Sequence, residues 1–191
     1  MANLFDRLLK DVDVQFSTDY GHSETFITPE DSPTGKPVIY VNPDLYPEGS
    51  ASRDKMIKGE ALHLLKLKEP KLHRDLMDTA LKDPEYMKQA RHSFDVVRGL
   101  KPDEEGNYVP EEKREKRDFG DWHTVSRFDQ VMGGYILAGD KDIPTMKNWN
   151  RDNMRMGPEL RRKMEVLAKE FNYEKPRLDE KPKQQQRVPK L

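Results

Sequence analysis

The chain has 191 residues, 34% of them hydrophobic and 36% charged, with a formal net charge of −1 and no cysteine. That length suits one domain with a tail. The balanced charge argues against nucleic-acid binding by bulk electrostatics, and the missing thiols exclude disulfides and thiolate metal sites.

Residues 3–12 place Leu4, Phe5, Leu8, Leu9 and Val12 on one face of a short amphipathic helix. From Val14 to Val41 the texture is that of strands. Phe26-Ile-Thr28 and Val38-Ile-Tyr-Val41 flank the turn-rich stretch 31–37, which predicts a hairpin or two strands of a small sheet. Residues 52–68 form the next helix, with Ser52 as its N-cap and Ile57, Ala61, Leu64 and Leu65 as its apolar stripe. Pro70 ends that helix or opens the next, which carries Leu72, Leu76, Met77, Ala80 and Leu81. Asp83-Pro84 starts another, with Met87, Ala90, Phe94 and Val97 in phase.

A charged linker occupies 100–119, and its basic run 113–117 is broken by Glu115, as a solvated segment would be. A further helix runs to about Leu137, and the last starts near Pro158 with the stripe Leu160, Met164, Leu167 and Phe171. Residues 174–191 are rich in Lys, Gln and Pro and cannot supply a core, so an extended tail is expected. Together the elements predict an α+β fold, mostly helical, with a small N-terminal sheet: one domain over 1–173 and a polar tail over 174–191. Residues 1–6 carry neither a basic nor an apolar leader pattern, and no run approaches membrane-spanning length. The expected location is therefore the cytoplasm, or a particle assembled there, with no membrane partner.

Two stretches carry chemistry. Gly59-Glu60-Ala61-Leu62-His63 is one residue short of H-E-x-x-H, in which two His at i and i+4 bind zinc from one helix face and the Glu is the general base. Glu60 and His63 stand at the required spacing, but Gly59 replaces the first His. A bare E-x-x-H also occurs in helices without any site. The second stretch is Trp122, Val125, Asp129, Met132 and Ile136, a helical stripe that is apolar except at Asp129. A carboxylate on such a face needs a hydrogen bond, a counter-ion or a metal. Pairing with Arg127 or another basic group is the plain alternative to a functional site.

The order of these elements resembles a group of bacteriophage proteins of similar size with a zincin-like layout. In that layout a strand ends in Asn-Pro, a helix carries H-E-x-x-H-x-L, a Pro follows, and a distant helix reads D-x-W-x-x-x-S-R-x-D-x-x-x-x-G-Y. Here the matching residues are Val41-Asn-Pro43, Gly59 to Leu65, Pro70, Trp122, Ser126-Arg127-Phe128-Asp129 and Gly134-Tyr135. Gly120 stands where the first acid of the second helix would be, with Asp118 and Asp121 nearest to it. The resemblance spans roughly residues 36–140. It implies a mostly helical zincin-like domain with Glu60 at the general-base position, His63 as a zinc ligand and Asp129 as a candidate third ligand.

With Gly59, one imidazole remains where two are needed, and His63 with Asp129 makes a weak site. The site is therefore expected to be vestigial, with no resident cofactor, and the chain to be a non-catalytic virion or virion-assembly protein. Its partners would be other phage structural proteins, reached through the 174–191 tail, and its location the host cytoplasm and then the virion. The alternatives are an active zinc metallopeptidase or peptidoglycan hydrolase, and a cytoplasmic phage accessory protein with a coincidental motif. Helices 53–68 and 121–137 should lie side by side with His63 near Asp129. Of the other histidines, His123 is a substitute ligand only from a different face, His73 and His92 are expected to be solvated, and His22 lies in a polar loop. Gly133-Gly134 is expected to permit close helix contact.

Overall fold

The computed structural model describes residues 3–21, 24–26 and 34–172. The tail and His22 lie outside the described residues. Helix α1, Leu4–Leu8, is closed at its start by a capping box in which Asn3 and Asp6 satisfy each other's backbone N–H. Leu4, Phe5 and Leu8 are buried, and Phe5 meets Phe171 edge-on at 5.2 Å. The Leu4 N–H also donates to Glu170 at 3.1 Å, which ties α1 to the end of the last helix.

Strands β1 (Asp13–Phe16), β2 (Glu24–Phe26) and β3 (Val38–Val41) form one mixed sheet in the order β1-β3-β2. β2 runs antiparallel to β3, as a hairpin requires, and β1 pairs parallel to β3 with Asp13 opposite Val38. Central β3 has Val38, Ile39 and Val41 fully buried. Helix α2 packs on that strand.

Helix α2 (Ala51–Ala61) runs through a 3₁₀ turn at Leu62–Leu64 into α3 (Leu65–Lys68). Its cap is Ser50, not Ser52: the Ser50 hydroxyl accepts from the Arg53 N–H at 3.2 Å, and Ser52 lies already inside the first turn. Pro70 opens the next helix, α4 (Pro70–Lys82), and Asp83 caps α5 (Pro84–Val97) through the N–H groups of Glu85 and Tyr86. The stretch after α5 is mostly exposed up to Arg114, and then Glu115 pairs with Arg117 at 2.7 Å, which also reaches Ser126.

The fourth long helical segment differs from its periodic reading. It consists of α6 (Phe119–Trp122), a π turn at His123–Arg127, and α7 (Phe128–Leu137). A π turn fits one extra residue into the helix and so rotates everything on one side of it relative to the other. Val125, expected on the apolar stripe, is consequently 60% exposed, while His123 and Phe128 turn inward. Helix α8 (Pro158–Phe171) covers α7, with Leu160, Met164, Leu167 and Phe171 buried in phase as the stripe requires. One continuous apolar cluster joins α1, the α2–α3 segment, α4, α5, α7 and α8.

Candidate functional site

Helix α7 lies along α2 and its 3₁₀ turn, which brings together the residues singled out in the two sequence stretches. His63 Nδ1 is 3.2 Å from Asp129 Oδ2, and its Nε2 is 3.9 Å from Glu60 Oε2. Asp129 is thus answered by a basic group, His63, and makes no ion pair with Arg127 among the described residues. The Asp129 carboxylate raises the His63 pKa above its ordinary 6.5, chiefly by accepting a hydrogen bond from the ring. The charges of Glu60 and Asp129 add to this, while burial opposes it. His63 remains 37% exposed in its side chain, against 13% for Asp129. The pair sits at the edge of solvent rather than in the core.

The pair lines a cavity of about 780 Å³, within the range of small-molecule sites. Glu60, Tyr86, Ser93 and Arg127 also face it. Its outer wall comes from the irregular stretch after α7, through Met146, Trp149 and Met154. That stretch is fixed by polar contacts. Arg151 donates to the carbonyls of Tyr135 and Ile136 at 2.8 and 3.0 Å, satisfying acceptors that the end of α7 leaves open. Arg161 in turn holds the carbonyls of Arg151 and Met154, and Lys55 of α2 reaches Asp140 at 2.9 Å.

Neither glycine pair member at the cavity is forced by close packing. A Cβ on Gly133 would meet nothing within 4 Å, and one on Gly134 would meet only Trp149 and Met154 at ordinary contact distance. Gly133-Gly134 therefore does not mediate close helix contact. The absent Cβ of Gly133 leaves open space at the cavity lining. Gly59 is similar: its Cβ would lie 3.5 Å from Leu137 Cδ1, an ordinary contact.

A three-ligand zinc centre needs its donors to converge on one point. Asp129 instead addresses Nδ1 of His63, on the opposite side of the ring from Nε2. This is the relation of an orienting carboxylate behind a histidine, not of a co-ligand beside it. Glu60 stands near Nε2, and Gly59 offers no donor. The residues present do not fit the implied group, and among the described residues no cluster of three His, Asp or Glu side chains has the geometry to hold a metal ion.

The remaining histidines separate clearly. His123 is 1% exposed, its Nε2 is hydrogen-bonded to Tyr86 Oη at 2.7 Å, and it packs against Phe119 and Phe128. Burial, reinforced by the charges of Arg127 and Arg91, lowers its pKa to about 4. His73 is not solvated as expected: it is 6% exposed and meets Phe128 edge-on, because its helix turns that side toward α7. Burial lowers its pKa as well. His92 is exposed, as expected of a charged helix face.

Sequence reasoning passed over Tyr86 and treated Arg127 only as a partner for Asp129. Both are cavity residues with unusual surroundings. Burial raises the Tyr86 pKa and lowers that of Arg127, and no carboxylate offsets the latter. The Nε of Arg127 and Oδ1 of Asp129 are both shielded from solvent without a hydrogen-bond partner among the described residues. A sequence signal existed for Arg127, two positions before Asp129 on a helix already marked by its buried carboxylate. None existed for Tyr86. Searches of family models, of curated proteins and of solved structures return no match for the chain.

Proposed function

We propose that this chain is a non-catalytic bacteriophage virion or virion-assembly protein built on a degenerate metallopeptidase-like scaffold. The observation that carries the reading is the 3.2 Å bond between His63 and Asp129. It occupies the two candidate ligands with each other, while Gly59 stands where the layout would place the second imidazole. A general base in such a layout works on a water activated by a metal, and Glu60 lacks the converging donors that would present one. The order of motifs along the chain supports the phage-protein layout. The polar 174–191 segment supports a docking role toward other structural proteins of the particle, in the host cytoplasm during assembly and in the virion afterwards. Among the described residues no helix is long and apolar enough to cross a membrane.

The second reading, a working zinc metallopeptidase or peptidoglycan hydrolase, draws on the cavity beside Glu60. Glu60→Gln separates the two. It keeps size and polarity but removes the base, whose loss costs an enzyme about 10²–10⁴-fold in rate. A phage carrying Glu60→Gln should stay infectious, and removal of residues 174–191 should impair particle assembly. Normal particles that cannot infect after Glu60→Gln, together with a harmless truncation, would sink the scaffold reading.

A further inference from the structure

Arg127 ends the π turn and contributes to the cavity lining. Its Nη2 donates to Ser93 Oγ at 3.2 Å, and its buried Nε–H has no acceptor. Glu60, Glu104 and Asp129 line the same cavity, yet no carboxylate among the described residues forms an ion pair with Arg127. Asp129 gives Oδ2 to His63, and its Oδ1, like the Nε of Arg127, is buried without a hydrogen-bond partner among the described residues. His123, close enough to feel the charge of Arg127, is kept neutral chiefly by burial and adds no second positive charge there. Arg155 lines the same cavity and adds a second guanidinium.

A half-buried guanidinium without a counter-ion is an expensive arrangement that folding alone does not favour. Its planar fork suits bidentate contact with a carboxylate or phosphate group. We propose that Arg127 anchors an anion subsite in this cavity, taking the oxyanion group of a ligand, with Ser93 beside it and Arg155 elsewhere on the same lining. The inference goes beyond the scaffold reading and does not depend on it. The anion can be a free small oxyanion or the acidic side chain of a peptide, since both present the same group to the guanidinium.

The test uses the full chain at constant ionic strength, with sodium chloride as the reference. Thermal unfolding is followed against inorganic phosphate and, separately, against a blocked tri-glutamate peptide. At least one should raise Tm in a saturable way, and Arg127→Met should weaken that apparent affinity about tenfold or more. A response to phosphate identifies a small oxyanion as the source, and a response to the peptide alone identifies an acidic segment. Should Arg127→Met fail to fold, the Nε–H resonance of Arg127 in the unaltered chain gives the same answer, because it must move during the titration. No rise with either probe, or an equal rise in Arg127→Met, overturns the proposal, as does a stationary Arg127 resonance.

Discussion

His63, in the 3₁₀ turn after α2, and His123, in the π turn before α7, live in opposite environments. His123 lies in a dry aromatic pocket with Tyr86, Phe119 and Phe128, where burial holds its pKa at about 4. His63 lies at a cavity edge between two carboxylates, where the Asp129 bond raises its pKa above 6.5. One ring is kept neutral because its surroundings cannot solvate charge, and the other has its charged form favoured because its surroundings supply the counter-charge. The contrast separates what packs the fold from what could meet a ligand. It also places the candidate chemistry on the α2–α7 contact rather than on the α5–α6 side, although both sides carry a histidine.

Breaking the dry pocket should have the largest effect. Phe128 is fully buried, against both His73 and His123. Phe128→Ala should cost about 3–5 kcal/mol in urea unfolding. By letting water reach His123, it should also move that ring's pKa upward in an NMR titration. A loss below 1 kcal/mol would mean that the pocket is not packed as described.

The two histidines should pull the pH profile in opposite directions. The folded chain keeps His123 neutral down to about pH 4, whereas the unfolded chain protonates it near 6.5. The unfolded state therefore binds more protons across that window, and stability falls as pH drops through it, by about 3 kcal/mol at pH 4. His73, lowered in the same direction, adds to this acid limb. His63 acts the other way. Its pKa is raised in the folded chain, so its contribution is complete below pH 6.5 and is lost as pH rises through the folded value. NMR titration should show His63 titrating above 6.5 while His123 stays neutral to about pH 4. Two rings titrating together would erase the contrast.

Asp129→Asn sharpens the cavity side of the comparison. His63 should lose its elevated pKa, but because the pair is partly exposed the cost to stability should be only about 1 kcal/mol. The smallest effect has the opposite sign. Gly59→Ala places its Cβ in ordinary contact with Leu137 and relieves a helix-interior glycine, so thermal unfolding should show a gain of about 0.5–1 kcal/mol. A loss instead would mean that the position requires glycine for a reason other than space.

Asp129 was legible because it is the one carboxylate on a periodic apolar stripe, where a lone carboxylate has few places to go; its meeting with His63 was expected from the resembled layout. The helices from Pro70 to Val97 and from Pro158 were legible for the same reason, with Asp83-Pro84 and Pro158 marking their starts. The π turn was not, since nothing in His123-Thr-Val-Ser-Arg127 distinguishes it from regular helix. The misplacement of Val125 follows directly from that turn. The burial of His73 reflects its tertiary contact with Phe128, which its charged sequence neighbours conceal. The cavity wall at Met146, Trp149 and Met154 is irregular backbone held by Arg151 and Arg161, and such a wall has no period to read.

The central claim is that His63 and Asp129 are spent on each other and that the donor set does not support a metal centre. Zinc content of the purified chain, measured by elemental analysis after expression with zinc and dialysis without chelator, tests it most directly. The account predicts far less than one zinc per chain, unchanged by Asp129→Asn. About one zinc per chain, lost in Asp129→Asn, would contradict it and restore the metallopeptidase reading.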